Sequence, residues 1–301
     1  MGSLFDYYRE IIPDFRGFQE SLKEPLPLHL RVNRLKIEPG VLAQLLREKG
    51  MDLQPVTVAD DTLFCARGLK SAGHLLEYFL GYIHPQALTS CLISLILSAR
   101  PSSFVLDMCA APGGKTSHMA QLMGNTGLIV ANELYRKRQI PLAHTLTRLG
   151  VCNTLVTGYQ AQEFPLKARF DYVLADVPCT GEGRWRALED KVISRRPGAL
   201  TKLHEMQKRT IVRGFDLLSE KGKMVYATCT YNPEENEGVV DFLLKHRDAV
   251  CLPIDSPFPG EPGLCEWKKE TYDEQLRRTV RFYPHRLDSV GFFVARIGRR
   301  V

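Results

Sequence analysis

The sequence predicts an α/β fold: a doubly wound, mostly parallel sheet with an antiparallel edge hairpin, preceded by a small α+β domain. Three observations carry this. From Pro85 onward, short apolar strand patterns alternate with helical ones, the rhythm of βαβ units. Strand patterns there, such as SFVLDM and DYVLADVP, are almost continuously apolar, as strands covered on both faces are. The closing pair, TVRFYP and GFFVARI, suits a hairpin at the sheet edge. The first part of the chain lacks this rhythm, so the domains are drawn at 1–80 and 81–301.

In the first domain, LHLRVNRLK (Leu28 to Lys36) alternates like a half-buried strand. Pro39 to Gly50 reads as a helix stopped by Gly50, and Leu53 to Val58 and LFCARG read as strands. Its strands carry Arg31, Arg34 and Lys36, a basic set that permits a polyanionic partner. In the second domain, Gln86 to Ser98 is an apolar helix and SFVLDM a buried strand. Lys115 to Met123 is a helix closed by Gly124, GLIVANE a strand, and Arg136 to Leu149 a helix ending at Gly150. NTLVTG and DYVLADVP are strands, Leu200 to Leu218 a long amphipathic helix, GKMVYATCT a strand and Glu234 to His246 a helix.

The chain has 301 residues, 44% hydrophobic and 25% charged, which are globular proportions. Its longest apolar run, Ala87 to Ala99, is short and broken by Thr89, Ser90, Ser94 and Ser98, so no membrane span is expected. The N-terminal MGSLFDYYREIIPDF carries charges where a signal peptide needs an apolar run, and a cytoplasmic location is expected. A monomer is the default. The net charge of +6 permits a polyanionic partner. Basic clusters at Arg136-Lys137-Arg138, Arg195-Arg196, Lys208-Arg209, Arg277-Arg278 and Arg299-Arg300 read singly as solvated faces. None of the eight cysteines has C-x-x-C or zinc-ligand spacing, so no metal is expected.

DMCAAPGGKT follows the first buried strand and misses the phosphate-binding pattern G-x-x-x-x-G-K-[ST] only because Cys109 stands at the first glycine. In a doubly wound sheet this loop lies at the strands' carboxyl ends, where ligands bind. Its small residues, Ala110, Ala111, Gly113 and Gly114, let backbone approach a ligand, and Pro112 stiffens it. Glu133 closes the next strand, the position from which an acid holds a ribose. S-adenosylmethionine, with a ribose and a sulfonium but no phosphate, is one candidate, and with its strand context the loop reads as a nucleoside-cofactor site.

DVPCTGEG and ATCTYNPEENE each put a cysteine just past a strand. If those strands neighbour the first, Asp176, Cys179, Cys229 and Lys115 converge on one cleft. Two thiols, an acid and a lysine beside a methyl donor suit methylation of cytosine C5. A thiolate adding to C6 makes C5 nucleophilic, an acid near N3 shares a proton with the ring, and a nearby cation promotes the thiolate.

Together DMCAAPGGKT, DVPCTGEG and TCTYNPEENE resemble the RNA 5-cytosine methyltransferases of the NOL1/NOP2/Sun family. The likeness runs from about Leu28 to the C-terminus; RVNRLK and RFYPHRLDSVGFFVARI are similar to its first and last motifs. The resemblance implies a Rossmann-like class I methyltransferase sheet, S-adenosylmethionine as cofactor and ribosomal or transfer RNA as substrate. It implies Cys229 as the nucleophile at C6 and Cys179 as the group assisting release. Asp176 and Lys115 would contact the cytosine, Asp176 also lying near the methyl donor. Cys109, Ala110, Ala111, Pro112, Gly113, Gly114 and Lys115 would wrap the cofactor, Glu133 would hold its ribose, and Arg138 matches a basic position. His285 matches a Pro-His of the last motif, as a structural residue or an RNA contact. Two positions depart from the pattern: Gln160 replaces an acid beside the adenine, and Thr145 replaces an asparagine.

Three alternatives stand beside this reading. A phosphate-loop NTPase would need glycine at 109. A methyltransferase acting on an exocyclic nitrogen needs no cysteine nucleophile. A non-catalytic RNA-binding protein would not need Cys179, Cys229, Asp176 and Lys115 intact.

Overall fold

The structure, a computed structural model, describes residues 4–56, 63–185 and 198–300. The Arg195-Arg196 cluster and the end of the strand expected at Leu53 to Val58 lie outside them. Near the N-terminus, a single 3-10 turn at Leu4–Tyr8 and helix α1 (Phe15–Ser21) come first. Their buried Phe5, Tyr8 and Phe18 pack with Phe215 and Tyr231 in the core of the larger sheet. Strands β1 (Leu28–Val32), β2 (Asp52–Pro55), β3 (Leu63–Arg67) and β4 (Ile83–Pro85) make a small antiparallel sheet in the order β2-β3-β1-β4. Helix α2 (Pro39–Glu48) covers it with Leu42, Ala43 and Leu46, and the short α3 (Leu76–Phe79) leads into β4.

After α4 (Leu88–Leu97) the large sheet begins with β5 (Phe104–Asp107), α5 (Gly114–Leu122), β6 (Leu128–Asn132), α6 (Arg136–Arg148) and β7 (Thr154–Thr157). It continues through β8 (Phe170–Asp176), α7 (Ala199–Asp216), β9 (Leu218–Thr228), α8 (Glu237–His246) and β10 (Ala249–Leu252). The chain ends with β11 (Glu261–Pro262), β12 (Glu266–Trp267), β13 (Glu270–Thr271), β14 (Val280–Phe282), α9 (Pro284–Leu287) and β15 (Phe292–Arg299). The order is β11-β14-β15-β9-β8-β5-β6-β7, with β10 also on β15. Strands β5 to β9 run parallel, and β15 is antiparallel to β9, β14 and β10. The expected hairpin is therefore β14 and β15, with α9 between them.

Strand alternation distributes the core. Leu106, Val173, Met224 and Tyr226 face α7 and α8, whereas Val105, Leu174, Val225 and Ala227 face α4 and α5. Both faces being apolar produces the unbroken strand patterns. The expected helix through Leu218 stops at Asp216, and Leu218 instead opens β9. Its apolar side chain continues the helical stripe, and no glycine or proline marks the change.

The basic unit turns inward. Arg31 is 1% exposed, and burial pulls its pKa down to about 10, so it stays charged at neutral pH. It donates to Gln86 Oε1 at 2.9 Å and to Gln121 Oε1 and Ser117 Oγ of α5 at 2.6 and 2.8 Å. Asn33 Nδ2 donates to the carbonyls of Gly81 and Leu149, both at 2.8 Å. Lys36 Nζ reaches those of Leu80 and Arg148, at the end of α6. The expectation of a basic face is thus corrected at Arg31 alone, whose donors fasten the small sheet to α5; Arg34 and Lys36 stay exposed, Lys36 also tying the sheet to the end of α6. Arg31→Ala leaves three buried partners unsatisfied and is expected to lower the unfolding free energy by about 3 kcal/mol in urea titration. Arg31→Lys should recover little, because one ammonium cannot match a three-way fork.

Candidate active site

The parallel strand order reverses between β5 and β8, the place where doubly wound sheets bind ligands. Here Asp107 ends β5 and the glycine loop opens α5. Gly113 has φ +102, and a Cβ there would press Leu142 and Thr145 of α6 at 3.1 and 3.2 Å. The loop is tied to β6 by Ala110 N–H donating to Asn132 O at 2.9 Å. Cys109 stays a neutral thiol, pushed up by burial and by Asp107, Asp176 and Glu133. Asp107 accepts from Thr116 Oγ1 at 2.7 Å on Oδ2. Its Oδ1 has no partner among the described residues, and burial raises its pKa to about 7. Sequence reading passed Asp107 over, although it is the last residue of the strand feeding the loop.

Glu133 follows β6 and is only 3% exposed. Its Oε1 accepts from Tyr135 N–H at 2.9 Å, and its Oε2 pairs with Arg138 Nη1 at 3.1 Å. Arg138 also donates to Ala111 O at 3.0 Å, bracing the loop from α6. Gln160 is exposed, accepts from Gln162 Nε2 at 2.8 Å and is not part of the cleft wall.

A cleft of about 440 Å³ runs from this loop to the ends of β8 and β9. Cys109, Ala110, Ala111, Pro112, Gly114, Lys115, Arg138, Asp176, Cys179 and Cys229 line it; Gly113 and Glu133 stand behind that wall. His84, Arg184 and Phe292 also line it, and sequence reading named none of them. Lys115 Nζ pairs with Asp176 Oδ2 at 2.7 Å and lies 5.2 Å from the centre of the Phe292 ring. Burial works against the lysine's charge, but Asp176 outweighs it and the pKa ends above the ordinary value.

The Cys179 and Cys229 sulfurs are 3.4 Å apart. Their mutual hydrogen bond is the largest cause that pushes Cys179 up and Cys229 down. Burial and Asp176 oppose the shift at Cys229, whereas Arg184 and Lys115 favour it. Burial and Glu235 push Cys179 the same way as that bond. Of the two sulfurs, Cys229 is thus the one that deprotonates more readily, with Cys179 placed to donate to it.

Glu235, also missed, stitches the two cysteine loops together. It is fully buried and accepts from Thr180 N–H at 3.0 Å, Thr180 Oγ1 at 2.6 Å and Gln207 Nε2 at 2.9 Å. Gln207 Nε2 also donates to Pro178 O at 2.9 Å, so both neighbours of Cys179 are held. Gly183 N–H donates to Cys229 O at 2.8 Å; a Cβ on Gly183 would come within 2.3 Å of Gly291 O.

Residues 94–298 match the family described as 16S rRNA methyltransferase RsmB/F. The chain is 36% identical to a tRNA (cytosine(49)-C(5))-methyltransferase of Pyrococcus abyssi, over 95% of this chain and 92% of that protein. It is also 36% identical to a 28S rRNA (cytosine(4447)-C(5))-methyltransferase of Homo sapiens, over 98% of this chain. The chain spans 37% of that human protein's length. A solved structure of a methyltransferase homolog protein from Pyrococcus horikoshii superposes with a TM-score of 0.86 at 33% identity. That match covers 100% of this chain and 96% of the other.

Because the Cys229 pKa is lowered, its thiolate persists at pH values where an ordinary thiol is protonated. Alkylation by iodoacetamide, mapped by mass spectrometry, should favour Cys229 over Cys179 at pH 7. Lys115→Ala removes a cation and should move the alkylation midpoint of Cys229 to higher pH. Equal labelling of the two cysteines would contradict the assignment.

Proposed function

The chain belongs to the RsmB/F methyltransferase family, and on that premise we propose that it methylates C5 of a cytosine in ribosomal or transfer RNA, with S-adenosylmethionine as the donor. The observation that carries the proposal is the thiol pair 3.4 Å apart, in one cleft with the Lys115–Asp176 ion pair and the glycine loop. The loop suits that donor. Its small lining residues let backbone close on a nucleoside, Gly113 lets the loop pack on α6, and Glu133 sits where a ribose acid belongs. The free Oδ1 of buried Asp107 suits a cationic group rather than a phosphate. When bound, S-adenosylmethionine supplies a methyl group activated by its sulfonium.

The chain's residues supply the rest. Cytosine C5 is a weak nucleophile until a bond forms at C6. Cys229 Sγ forms it, and the C5–C6 electron pair moves toward C5 and the ring. Lys115 and Asp176 lie together to hydrogen-bond the ring as it gains electron density. Once Cys229 is a thioether, its thiolate no longer holds the Cys179 proton, and the largest cause raising Cys179 is gone. The C5 electron pair bonds to the methyl group. Cys179, its thiol proton released to solvent, then takes the C5 proton, the C5–H electron pair re-forms the C5–C6 double bond, and Cys229 leaves C6 as thiolate. Lys115 changes role with this chemistry: it faces a base and a thiolate instead of a phosphate.

The experiment is trapping. Cys179→Ala incubated with S-adenosylmethionine and rRNA or tRNA transcripts should accumulate a protein–RNA adduct that survives denaturing electrophoresis. Adding Cys229→Ala should remove the adduct and lower methyl transfer by at least about 10³-fold. Methyl transfer that survives Cys229→Ala would sink the two-thiol mechanism.

A further inference from the structure

The catalytic cleft borders other cavities. Its Pro85-Gln86-Ala87 lip also walls a pocket of about 210 Å³, which is bounded by Leu26 to His29 and Ser289. Leu26 to His29 in turn wall a groove of about 1310 Å³ between the small sheet and α9. The three spaces therefore adjoin in series, each sharing lining residues with the next.

The groove's walls are mixed in a particular way. Arg67 and Lys70, on and after β3, face Arg286 of α9. Glu24 and Asp288 are the lining carboxylates, and Arg286 Nη2 lies 3.7 Å from Glu261 Oε1, so Arg67 and Lys70 carry the groove's positive charge. Between the cations lie flat or apolar surfaces, among them Leu26, Leu69 and Phe258. His29 and His285 line it too. Burial lowers both their pKa values, which leaves neutral rings near neutral pH.

We propose that this groove holds the single-stranded RNA flanking the target cytosine. The inference rests on the function proposed above. A base that enters the cleft must leave its stack, and the chain on one side of it must run outward over protein. Cations spaced along a groove meet phosphates, while neutral rings and apolar floors receive unstacked bases. A peptide could use the apolar floor, but nothing about a peptide calls for a groove in line with the catalytic cleft. The succession of spaces from the cleft to the groove, together with Arg67 and Lys70, favours RNA. Arg67, Lys70 and Arg286 are exposed and touch no catalytic group, so charge reversal spares the core.

Two measurements test it, with thermal unfolding checking that each variant is folded. The first is fluorescence anisotropy with single-stranded RNA of about fifteen nucleotides around a cytosine, and with a core of about four. The second is methylation of the same RNAs. Arg67→Glu/Lys70→Glu/Arg286→Glu should weaken binding of the longer RNA at least about tenfold and flatten its salt dependence by two to three charges, or about that. In methylation, KM for the longer RNA should rise to match, with kcat kept and the short RNA unaffected. Wild-type affinity for the longer RNA in the triple variant overturns the groove assignment, as does equal weakening for both lengths. A wild-type protein that binds the longer RNA through these residues yet methylates no cytosine instead overturns the proposed function. The anisotropy result stands in either case.

Discussion

A strand covered on both faces has nowhere to display a charge except its ends. That constraint governs this molecule. In β5, β6, β8 and β9 the side chains alternate between two apolar layers, so polar chemistry collects at the carboxyl edge. Asp107 and Asp176 end their strands, while Glu133 and Cys229 come one residue after theirs. The strand order brings β5, β8 and β9 side by side, and with them the cofactor loop, the acid and the two thiols. The position of the candidate cleft follows from packing before any residue is chosen for reactivity.

Within the cleft, two chemically identical side chains acquire opposite characters from what surrounds them. Lys115 and Arg184 act on Cys229, whereas the buried Glu235 acts on Cys179. Neither sulfur could be assigned from its own environment alone, since each is the other's largest influence. The arrangement also runs in one direction. In the proposed reaction, bond formation at Cys229 removes the hydrogen-bond partner that raises the Cys179 pKa, so the first step prepares the group needed for the last.

Much of this was legible in the residues because the signals were local. The alternation of strands and helices, the glycine loop at 109–115 and the cysteines after β8 and β9 are short patterns with fixed spacing. What escaped depends on distant partners. Arg31 sits in an alternating strand, where an arginine reads as solvent-facing; only the positions of Ser117 and Gln121 on α5 make it a buried bridge. Glu235 looks like one acid among several in NPEENE, and its role needs Thr180 and Gln207. The edge strand β10 is four residues without a turn signal, defined by pairing with β15. The basic clusters divide as expected of surface charge. Arg209 meets Glu163 and Arg277 meets Glu274 at the surface, while Arg299 donates to the carbonyls of Phe215 and Leu218.

The RVNRLK bridge also bears on where the chain can be cut. Its fastenings to Ser117, Gln121 and the last carbonyls of α6 run from one sheet to the helices of the other. Farther upstream, Tyr8 donates to the buried Glu182 beside the Cys179 loop at 2.7 Å. A fragment starting near residue 81 would lose all of these at once. It would carry an exposed aromatic hollow around Tyr231 and a cofactor helix with its polar side unanchored. A cut at residue 81 therefore removes side chains on which the core of the larger sheet and the helices α5 and α6 rest.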